Sequence, residues 1–286
     1  MPVEDHPVFQ APDNPDIKIW RYMDFAKYVS FLDTNALFFP RSDRLDDPYE
    51  GTWSDATWGM MRDSLEQIWT ENDIDPAQHD VADIVRQFRE GTATFREWVY
   101  VNSWHMNEVE SAAMWELYAQ RDQGIAVQST YAKLAECLPA QTPSRVFESP
   151  RFPGKRIIVK AASIHLGTVV YVEDYKTNSM STNNILYPFI HKRRSFAHER
   201  ELRAVILESA QVEDPTTGEL SPIHAGSTNL AMGLRVDVSI DDLVEKVLVA
   251  PTAPSWFGEL VENISAKYNL DSRRIDKSRL YERRMI

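Results

Sequence analysis

The segment with the clearest capacity for chemistry contains two glutamates, Glu199 and Glu201, followed closely by Arg203. If a helix gives way to a strand here, Glu201 and Arg203 project to one face, while Leu202 and Ala204 pack on the other. A carboxylate fixed in this way can stabilise a developing positive charge or accept a proton. Glu201 and Glu199 are therefore the candidate catalytic residues. The alternative is a surface ladder of ion pairs at the start of a strand.

Three carboxylates lie within five residues at a proline turn, in Asp46, Asp47 and Glu50. Carboxylates at this density can bind a hard cation or orient a substrate hydroxyl, although their spacing differs from that of calcium-binding loops. An Asp-Pro turn with a helix-capping acid accounts for the same residues in structural terms. The segment therefore predicts either a ligand contact through Asp47 and Glu50 or a turn.

An arginine flanked by aromatic residues, Arg21 between Trp20 and Tyr22, stands in the first predicted strand. Its guanidinium could form a bidentate clamp for a phosphate or carboxylate group. The alternative is an ion pair with an acid at the edge of the strand. Arg21 and Tyr22 are candidate ligand-binding residues on this pattern, and Arg203 is a further candidate from the segment of Glu201.

Hydroxyl and aromatic side chains recur between Ser103 and Tyr118. On a helix, Ser111, Trp115 and Tyr118 fall on one face at the i, i+4, i+7 spacing. Met114 and Trp115 fit a stripe of the core, whereas the hydroxyl groups of Ser111 and Tyr118 on the same face indicate the edge of a cleft as the alternative. Ser103, Trp115 and Tyr118 are candidate ligand-binding residues as well.

Local patterns predict the elements that hold these residues. Residues 17–22 alternate apolar and polar side chains, as a half-buried strand does, and Asp24 can cap the helix that follows. Asn107, with Glu110 three residues later, forms a capping-box signature for the helix that contains Tyr118.

Longer patterns predict the organisation of the chain. Helices and strands interleave without a regular βαβ rhythm, so the fold class is expected to be α+β, with a mixed, largely antiparallel central sheet and flanking helices. Residues 1–15 are expected to form an N-terminal arm, and 16–286 a single domain with a helical insertion at about 53–92. Further helices are expected over 184–198 and 255–268.

Composition restricts the class of protein. With 43% hydrophobic residues, disorder across the whole chain is excluded. A net charge of −12 makes nucleic acid an improbable partner, because such binding needs a basic surface. No signal peptide or membrane-spanning apolar run is recognisable, so a cytoplasmic protein without a membrane partner is expected. One cysteine, Cys137, and scattered histidines predict neither a disulfide nor a metal site.

Taken together, the motifs resemble those of the bacterial family known as domain of unknown function 2971. Asp46 stands where asparagine is more usual in that family, and Phe196 where tryptophan is. The resemblance covers about residues 20–206 and implies no established activity. The matching motifs here are Trp20-Arg21-Tyr22, Leu45-Asp46-Asp47-Pro48-Tyr49-Glu50-Gly51, Met114-Trp115-Glu116-Leu117-Tyr118 with Gly124, and Glu199-Arg200-Glu201-Leu202-Arg203.

A second resemblance is to ADP-ribosyltransferases. These enzymes place an arginine or histidine on an early strand, a serine or tyrosine on a middle strand, and a glutamate on a later one. Arg21, Ser103 and Glu201 occur in that order here, although the Ser-Thr-Ser form of the middle motif is absent. The resemblance implies NAD as a cofactor, with Arg21 holding its diphosphate and Glu201 stabilising an oxocarbenium-like centre.

Three hypotheses about function follow. The first is an NAD-using, ADP-ribosyltransferase-like enzyme of bacterial conflict or phage defence, and the second is a non-enzymatic sensor that binds a small molecule, a nucleotide or a partner. The third is a metal-assisted nuclease using Asp46, Asp47, Glu50 and Glu201, against which the acidic charge stands. The first two predict that separated motifs converge on one polar-aromatic cleft. Its expected members are Arg21, Glu50, Trp115, Tyr118, Glu201 and Arg203.

Overall fold

The computed structural model describes residues 6–73, 80–119, 122–149, 153–222 and 231–282. The strands in these ranges are β1 (Lys18–Asp24), β2 (Ala36–Pro40), β3 (Val99–Met106), β4 (Gly124–Thr130), β5 (Arg145–Glu148), β6 (Arg156–Val159), β7 (Ile164–Thr168), β8 (Val170–Val172), β9 (His191–Arg193), β10 (Glu201–Leu207), β11 (Ala210–Glu213), β12 (Leu220–Pro222), β13 (Gly233–Asp237), β14 (Lys246–Val249) and β15 (Ile275–Lys277). The α-helices are α1 (Phe25–Thr34), α2 (Asp55–Glu71), α3 (Val81–Phe95), α4 (Ala112–Tyr118), α5 (Tyr131–Cys137), α6 (Tyr187–Ile190), α7 (Ile240–Leu243) and α8 (Ser255–Lys267).

A seven-stranded sheet organises the fold, in the order β15-β14-β4-β1-β3-β10-β7. Its neighbouring strands run antiparallel except β14 and β15, which are parallel. Smaller sheets have the orders β12-β11-β6-β5, β13-β2 and β8-β9. The predicted α+β class, with a mixed and largely antiparallel sheet and flanking helices, is confirmed. Within the described ranges no helix is long and apolar enough to cross a membrane.

The first strand and helix form as their sequence predicts. The Asp24 side chain accepts a hydrogen bond from the Lys27 backbone N–H at 2.8 Å and so caps α1. Asn35 ends the helix in the left-handed region, with φ at 47°, a conformation that asparagine tolerates better than most residues. The chain then returns as β2, which lies against the main sheet.

Register assigns the side chains of the central strands to two faces. Trp20 is paired with His105, and His105 with Glu201, so these three residues share one face. On β10, Leu202 and Ala204 point to the opposite face and join the main hydrophobic core. The face that bears Glu201 is covered farther along by a second apolar cluster that includes Phe189 and Val205.

The pairing between β1 and β3 is short. It comprises Ile19 with Met106 and Trp20 with His105, whereas β1 pairs with β4 along its whole length. Beyond Trp20 the two strands separate, and the guanidinium of Arg21 donates to the Ser103 carbonyl across the gap at 3.2 Å. We call this gap the seam.

The predicted helical insertion corresponds to α2 and α3. Ser54 caps α2 by accepting from the Thr57 backbone N–H at 3.1 Å. Trp53 and Trp58 pack with Tyr175 and Met180, and this cluster holds the insertion against the domain.

Residues 6–15 do not form a separate arm. Val8 and Phe9 are buried in the second apolar cluster, and the Thr168 backbone N–H donates to the Gln10 carbonyl at 2.9 Å. The segment fits because Gly167 lacks a side chain: a Cβ there would lie 2.7 Å from the Phe9 Cα. Residues 1–5 of the predicted arm lie outside the described residues.

Two local predictions are wrong. The single helix expected over 184–198 is instead α6, the strand β9 and a 3₁₀ turn at Arg194–Glu199, because β9 pairs with β8. The cap of α4 is Ser111, whose hydroxyl accepts from the Met114 backbone N–H, so the capping box at Asn107 does not form.

Candidate functional site

A buried group of five charged side chains lies on one face of the sheet beside β10. None of the five is more than 6% exposed. Buried charges require partners, because removing an ion from water costs several kcal/mol, roughly, before any pairing compensates. We call this group the charge cluster, and it consists of Glu50, Lys192, Glu199, Glu201 and Arg203.

Four segments supply these side chains. Glu201 and Arg203 occupy alternate positions of β10 and so share a face, as the sequence predicts. Lys192 comes from β9, and Glu50 from the turn that follows Pro48. Glu199 ends a 3₁₀ turn and is joined to β10 through Arg200, whose φ of 41° lies in the left-handed region.

Arg203 is the centre of the charge cluster. Its Nε and Nη2 atoms donate to the two Glu201 carboxylate oxygens at 2.7 and 2.9 Å, a bidentate pair. Nη2 also donates to Glu50 at 2.8 Å, and Nη1 to the Phe189 carbonyl at 2.8 Å. The guanidinium is therefore held on three sides and has a single orientation.

Lys192 joins the three carboxylates. Its Nζ atom lies 2.9 Å from Glu50, 2.5 Å from Glu199 and 3.3 Å from Glu201. Three carboxylates against two cations leave the charge cluster with a formal charge of −1. A net negative charge held in a low-dielectric region attracts a cation or a developing positive charge.

Glu201 stays ionised at neutral pH. Burial alone would raise the pKa of its carboxyl, but Arg203 and Lys192 outweigh burial and lower the pKa to about 2. Burial opposes the charge on Lys192, whereas Glu201 and Glu50 raise the pKa of its ammonium group above the ordinary value. A carboxylate held in this state suits electrostatic stabilisation rather than proton abstraction.

Two hydroxyl groups lie on the accessible side of the charge cluster. The Ser103 hydroxyl donates to Glu201, and the Tyr118 hydroxyl donates to Glu199 at 2.5 Å. Both residues are exposed, Tyr118 to 44%. An ionised carboxylate can only accept hydrogen bonds, so each hydroxyl group donates its proton to the carboxylate. The hydroxyl oxygens can still accept a hydrogen bond from the solvent side. Burial and the neighbouring Glu199 raise the pKa of Tyr118, so its hydroxyl remains protonated.

Asp47 lies beside the charge cluster rather than within it. Its carboxylate pairs with Arg193 at 2.9 and 3.2 Å and accepts from the Tyr49 backbone N–H at 3.0 Å. The Arg193 guanidinium lies over the rings of Tyr49 and Phe196, 4.6 and 5.3 Å from their centres. The predicted turn therefore forms and brings Glu50 into the charge cluster, while a ligand contact through Asp47 and Glu50 stays a prediction.

Tyr22 and Trp115 support the site from below the surface. Their rings meet edge to face at 5.1 Å, and both are buried. Tyr22 accepts from the Ser111 backbone N–H at 2.8 Å, while Trp115 donates to Glu110 at 2.8 Å. These contacts fix α4 on β1 and so position Tyr118, but both rings are too buried to line an open cleft.

Arg21 does not join the charge cluster. It follows Trp20 on β1 and therefore points to the face opposite Glu201, where its guanidinium lies 5.9 Å from the Trp104 ring centre. It donates to the carbonyls of Ser103 and Phe38, and burial lowers its pKa to about 10. The prediction that six residues converge on one cleft is wrong for Arg21, which points to the other face, and for Trp115, whose ring is buried below the surface.

Sequence reasoning missed two members of the site. Lys192 belongs to a basic segment that also fits a solvated helix face, so its burial had no local signal.

His105 is 3% exposed and lies opposite Glu201 across β3 and β10. Its Nδ1 donates to the Glu199 carbonyl at 2.6 Å, and its Nε2 has no hydrogen-bond partner among the described residues. Burial lowers the pKa of His105, so the ring is neutral at pH 7.

The acidic residues do not form a metal site. Within the part of the chain that the structure describes, no group of three or more His, Cys, Asp or Glu side chains could hold a metal ion. Lys192 and Arg203 already neutralise Glu50 and Glu201, and Asp46 is exposed at the turn. The nuclease hypothesis therefore has no support in this arrangement.

Comparison with known proteins adds no relative: no family model, no curated protein and no solved structure matches the chain. The two resemblances drawn from its motifs therefore stay predictions.

Proposed function

We propose that this protein is a cytoplasmic, NAD-using glycosyltransferase of the ADP-ribosyltransferase kind, with Glu201 as its electrostatic catalyst. One observation carries the proposal. The strands that bear Arg21, Ser103 and Glu201 are adjacent in the sheet, in the order β1-β3-β10, and the Ser103 hydroxyl donates to the Glu201 carboxylate. The serine and the glutamate of the resemblance thus lie side by side on one face of the sheet, which supports the proposal, whereas Arg21 points to the other face.

The reaction requires stabilisation of positive charge. The bond between the nicotinamide nitrogen and the ribose C1 atom breaks, nicotinamide leaves as a neutral base, and a nucleophile of the acceptor bonds to C1 and loses its proton. In the transition state the ribose becomes oxocarbenium-like. The ionised Glu201 carboxylate and the net charge of the cluster favour that cation, and the accessible oxygens of Ser103 and Tyr118 can accept from a ribose hydroxyl.

The role that the resemblance implies for Arg21 requires revision. Its guanidinium lies across the sheet from Glu201 and cannot hold a diphosphate on the same face. We assign that role instead to Arg200, an exposed residue next to Glu201 that donates to Asn107 at 3.0 Å.

The test is release of nicotinamide from NAD, measured together with transfer of labelled ADP-ribose into proteins and nucleic acids of a cell lysate. Wild type should release nicotinamide. Glu201→Gln should be slower by about 10²-fold or more, as expected for loss of an electrostatic stabiliser. Glu108→Gln, which removes an exposed carboxylate, should match wild type. Absence of both release and transfer with the wild-type protein contradicts the proposal.

A ligand-binding protein without a reaction is the second candidate. The observation in its favour is that Glu201 is held by Arg203, Lys192 and Ser103, as a purely structural ion network would hold it. In that case NAD or another nucleotide should raise the melting temperature, while no nicotinamide appears.

A further inference from the structure

A cavity of about 330 Å³ lies outside the charge cluster, beside the turn at Pro48 and between α2 and α3. Four aromatic side chains contribute to its lining, together with an acid, an arginine and small residues of α3. This volume is at the lower end of the range of small-molecule sites. The aromatic members are Tyr49, Trp53, Trp58 and Tyr175.

The aromatic wall is rigid where the ligand would meet it. Tyr49 is 43% exposed, yet its ring is fixed by two contacts: Tyr175 edge to face at 5.5 Å, and the Arg193 guanidinium at 4.6 Å. Arg193 is in turn held by Asp47 at 2.9 Å. An exposed ring that is held in one orientation offers a flat surface on which a second planar ring can stack.

The rim of the cavity bears a hydrogen-bond donor and an acceptor side by side. Arg89 on α3 lies 3.5 Å from Asp55 on α2, and both side chains are exposed. A planar heterocycle with donor and acceptor atoms on one edge can pair with both groups. Thr92 and Ala93 on α3 are small, so they leave room for a flat ring between the helix and the aromatic wall.

We infer that this cavity is a binding site for the purine ring of a nucleoside or nucleotide. The lining selects a planar nucleobase, because it combines a stacking surface with a paired donor and acceptor, and its four aromatic side chains favour the larger ring system of a purine. A neighbouring cavity of similar volume is lined mainly by apolar side chains, with Gln87 and Thr92 as its polar members and no charged residue among the described residues that line it. It therefore lacks the paired arginine and carboxylate of the first cavity.

The purine site adjoins the charge cluster. Tyr49 lines the cavity, and the next residue, Glu50, places its carboxylate between Lys192 and Arg203. A dinucleotide could span the two sites, and this extension rests on the proposed function. Binding of a purine nucleoside alone does not depend on it.

Adenosine is the probe, and binding is measured by quenching of tryptophan fluorescence and by calorimetry on the full chain. Ala93→Phe places a ring inside the cavity from an exposed position of α3. Ala82→Phe makes the same change at another exposed position of that helix, away from the cavity. Wild type and Ala82→Phe should bind adenosine equally, and Ala93→Phe about ten-fold more weakly or worse. Tyr49→Leu should weaken binding similarly, whereas Tyr49→Phe should retain it.

Three results would overturn the inference: no saturable binding of adenosine to wild type, equal binding by Ala93→Phe, or uridine bound as tightly as adenosine. Thermal melts of each variant identify any that fail to fold. Glu201→Gln separates this site from the reaction, because it should leave adenosine binding unchanged. Adenosine binding without nicotinamide release from NAD would contradict the transferase alone.

Discussion

Replacing Glu201 by glutamine removes one of the three carboxylates of the charge cluster while keeping nearly the same shape. The formal charge of the cluster then changes from −1 to zero. Lys192 keeps Glu50 at 2.9 Å and Glu199 at 2.5 Å, and Arg203 keeps Glu50 at 2.8 Å. Each buried cation therefore retains a partner. Arg203→Met has the opposite effect, because it leaves three carboxylates facing Lys192 alone.

The charge count sets the size of the two effects. Glu201→Gln loses hydrogen bonds to charged groups, each of which contributes about 1.5–3 kcal/mol, but it relieves the excess negative charge. We therefore expect it to lower the free energy of unfolding by about 1–3 kcal/mol. Arg203→Met leaves buried carboxylates without a partner, which costs about 3–5 kcal/mol or more.

Urea denaturation at pH 7 measures both free energies, and the m-values check that each variant unfolds in one step. We expect the loss in free energy of unfolding to be clearly smaller for Glu201→Gln than for Arg203→Met. Equal losses, or the reverse order, would mean that the excess negative charge is not relieved by the substitution. A folded Glu201→Gln protein also makes the nicotinamide-release assay interpretable, since lost turnover then cannot be attributed to unfolding.

Three further outcomes are expected. The folded-state pKa of Glu201 is about 2, against an ordinary value of 4.5. The ionised carboxylate therefore contributes its full share to the free energy of unfolding above pH 4.5, and this contribution is lost as the pH falls toward 2. Urea titrations over this range should therefore show wild type losing stability more steeply than Glu201→Gln. Gly167→Ala should lower the free energy of unfolding by about 1–3 kcal/mol through collision with Phe9. In contrast, Gly59→Ala in α2 should raise it by about 0.5–1 kcal/mol in the same urea assay, because beyond its chain neighbours and the helix's own backbone no described atom lies within 4 Å of the new Cβ. A chelator should leave the melting temperature unchanged, and a large fall would reveal a structural metal.

Elements whose signals are local were predicted well. Residues that are close together in the sequence determine three such features: the Asp24 cap, the α1 helix and the alternation along β10. The error over 184–198 has a different cause, since β9 is extended because it pairs with β8 and sends Lys192 into the charge cluster. Such tertiary contacts override local helical preference and have no trace in the segment itself.

The position of Arg21 shows why the site was only partly predictable. The strand that contains Arg21 was predicted correctly, but the face to which its side chain points depends on the pairing of Trp20 with His105. A shift of one residue in that register would move Arg21 to the face of Glu201. Glu201 and Arg203 were predicted together because their relation is internal to one strand. Glu199 reaches the same place only through the left-handed turn at Arg200.

The main sheet has fewer paired residues at the seam between β1 and β3 than between β3 and β10. Two residue pairs join β1 and β3, whereas β3 and β10 are joined along seven, so bending the sheet at the seam breaks few backbone hydrogen bonds. Tyr118 lies on α4, which packs on β1, and its hydroxyl donates to Glu199 beside β10. It therefore connects the parts of the sheet on either side of the seam. We therefore expect amides along the seam to exchange with solvent faster than those between β3 and β10. A rotation that opened the seam would also withdraw the Tyr118 hydroxyl from the Glu199 carboxylate, so access to the charge cluster is expected to depend on the stiffness of the sheet.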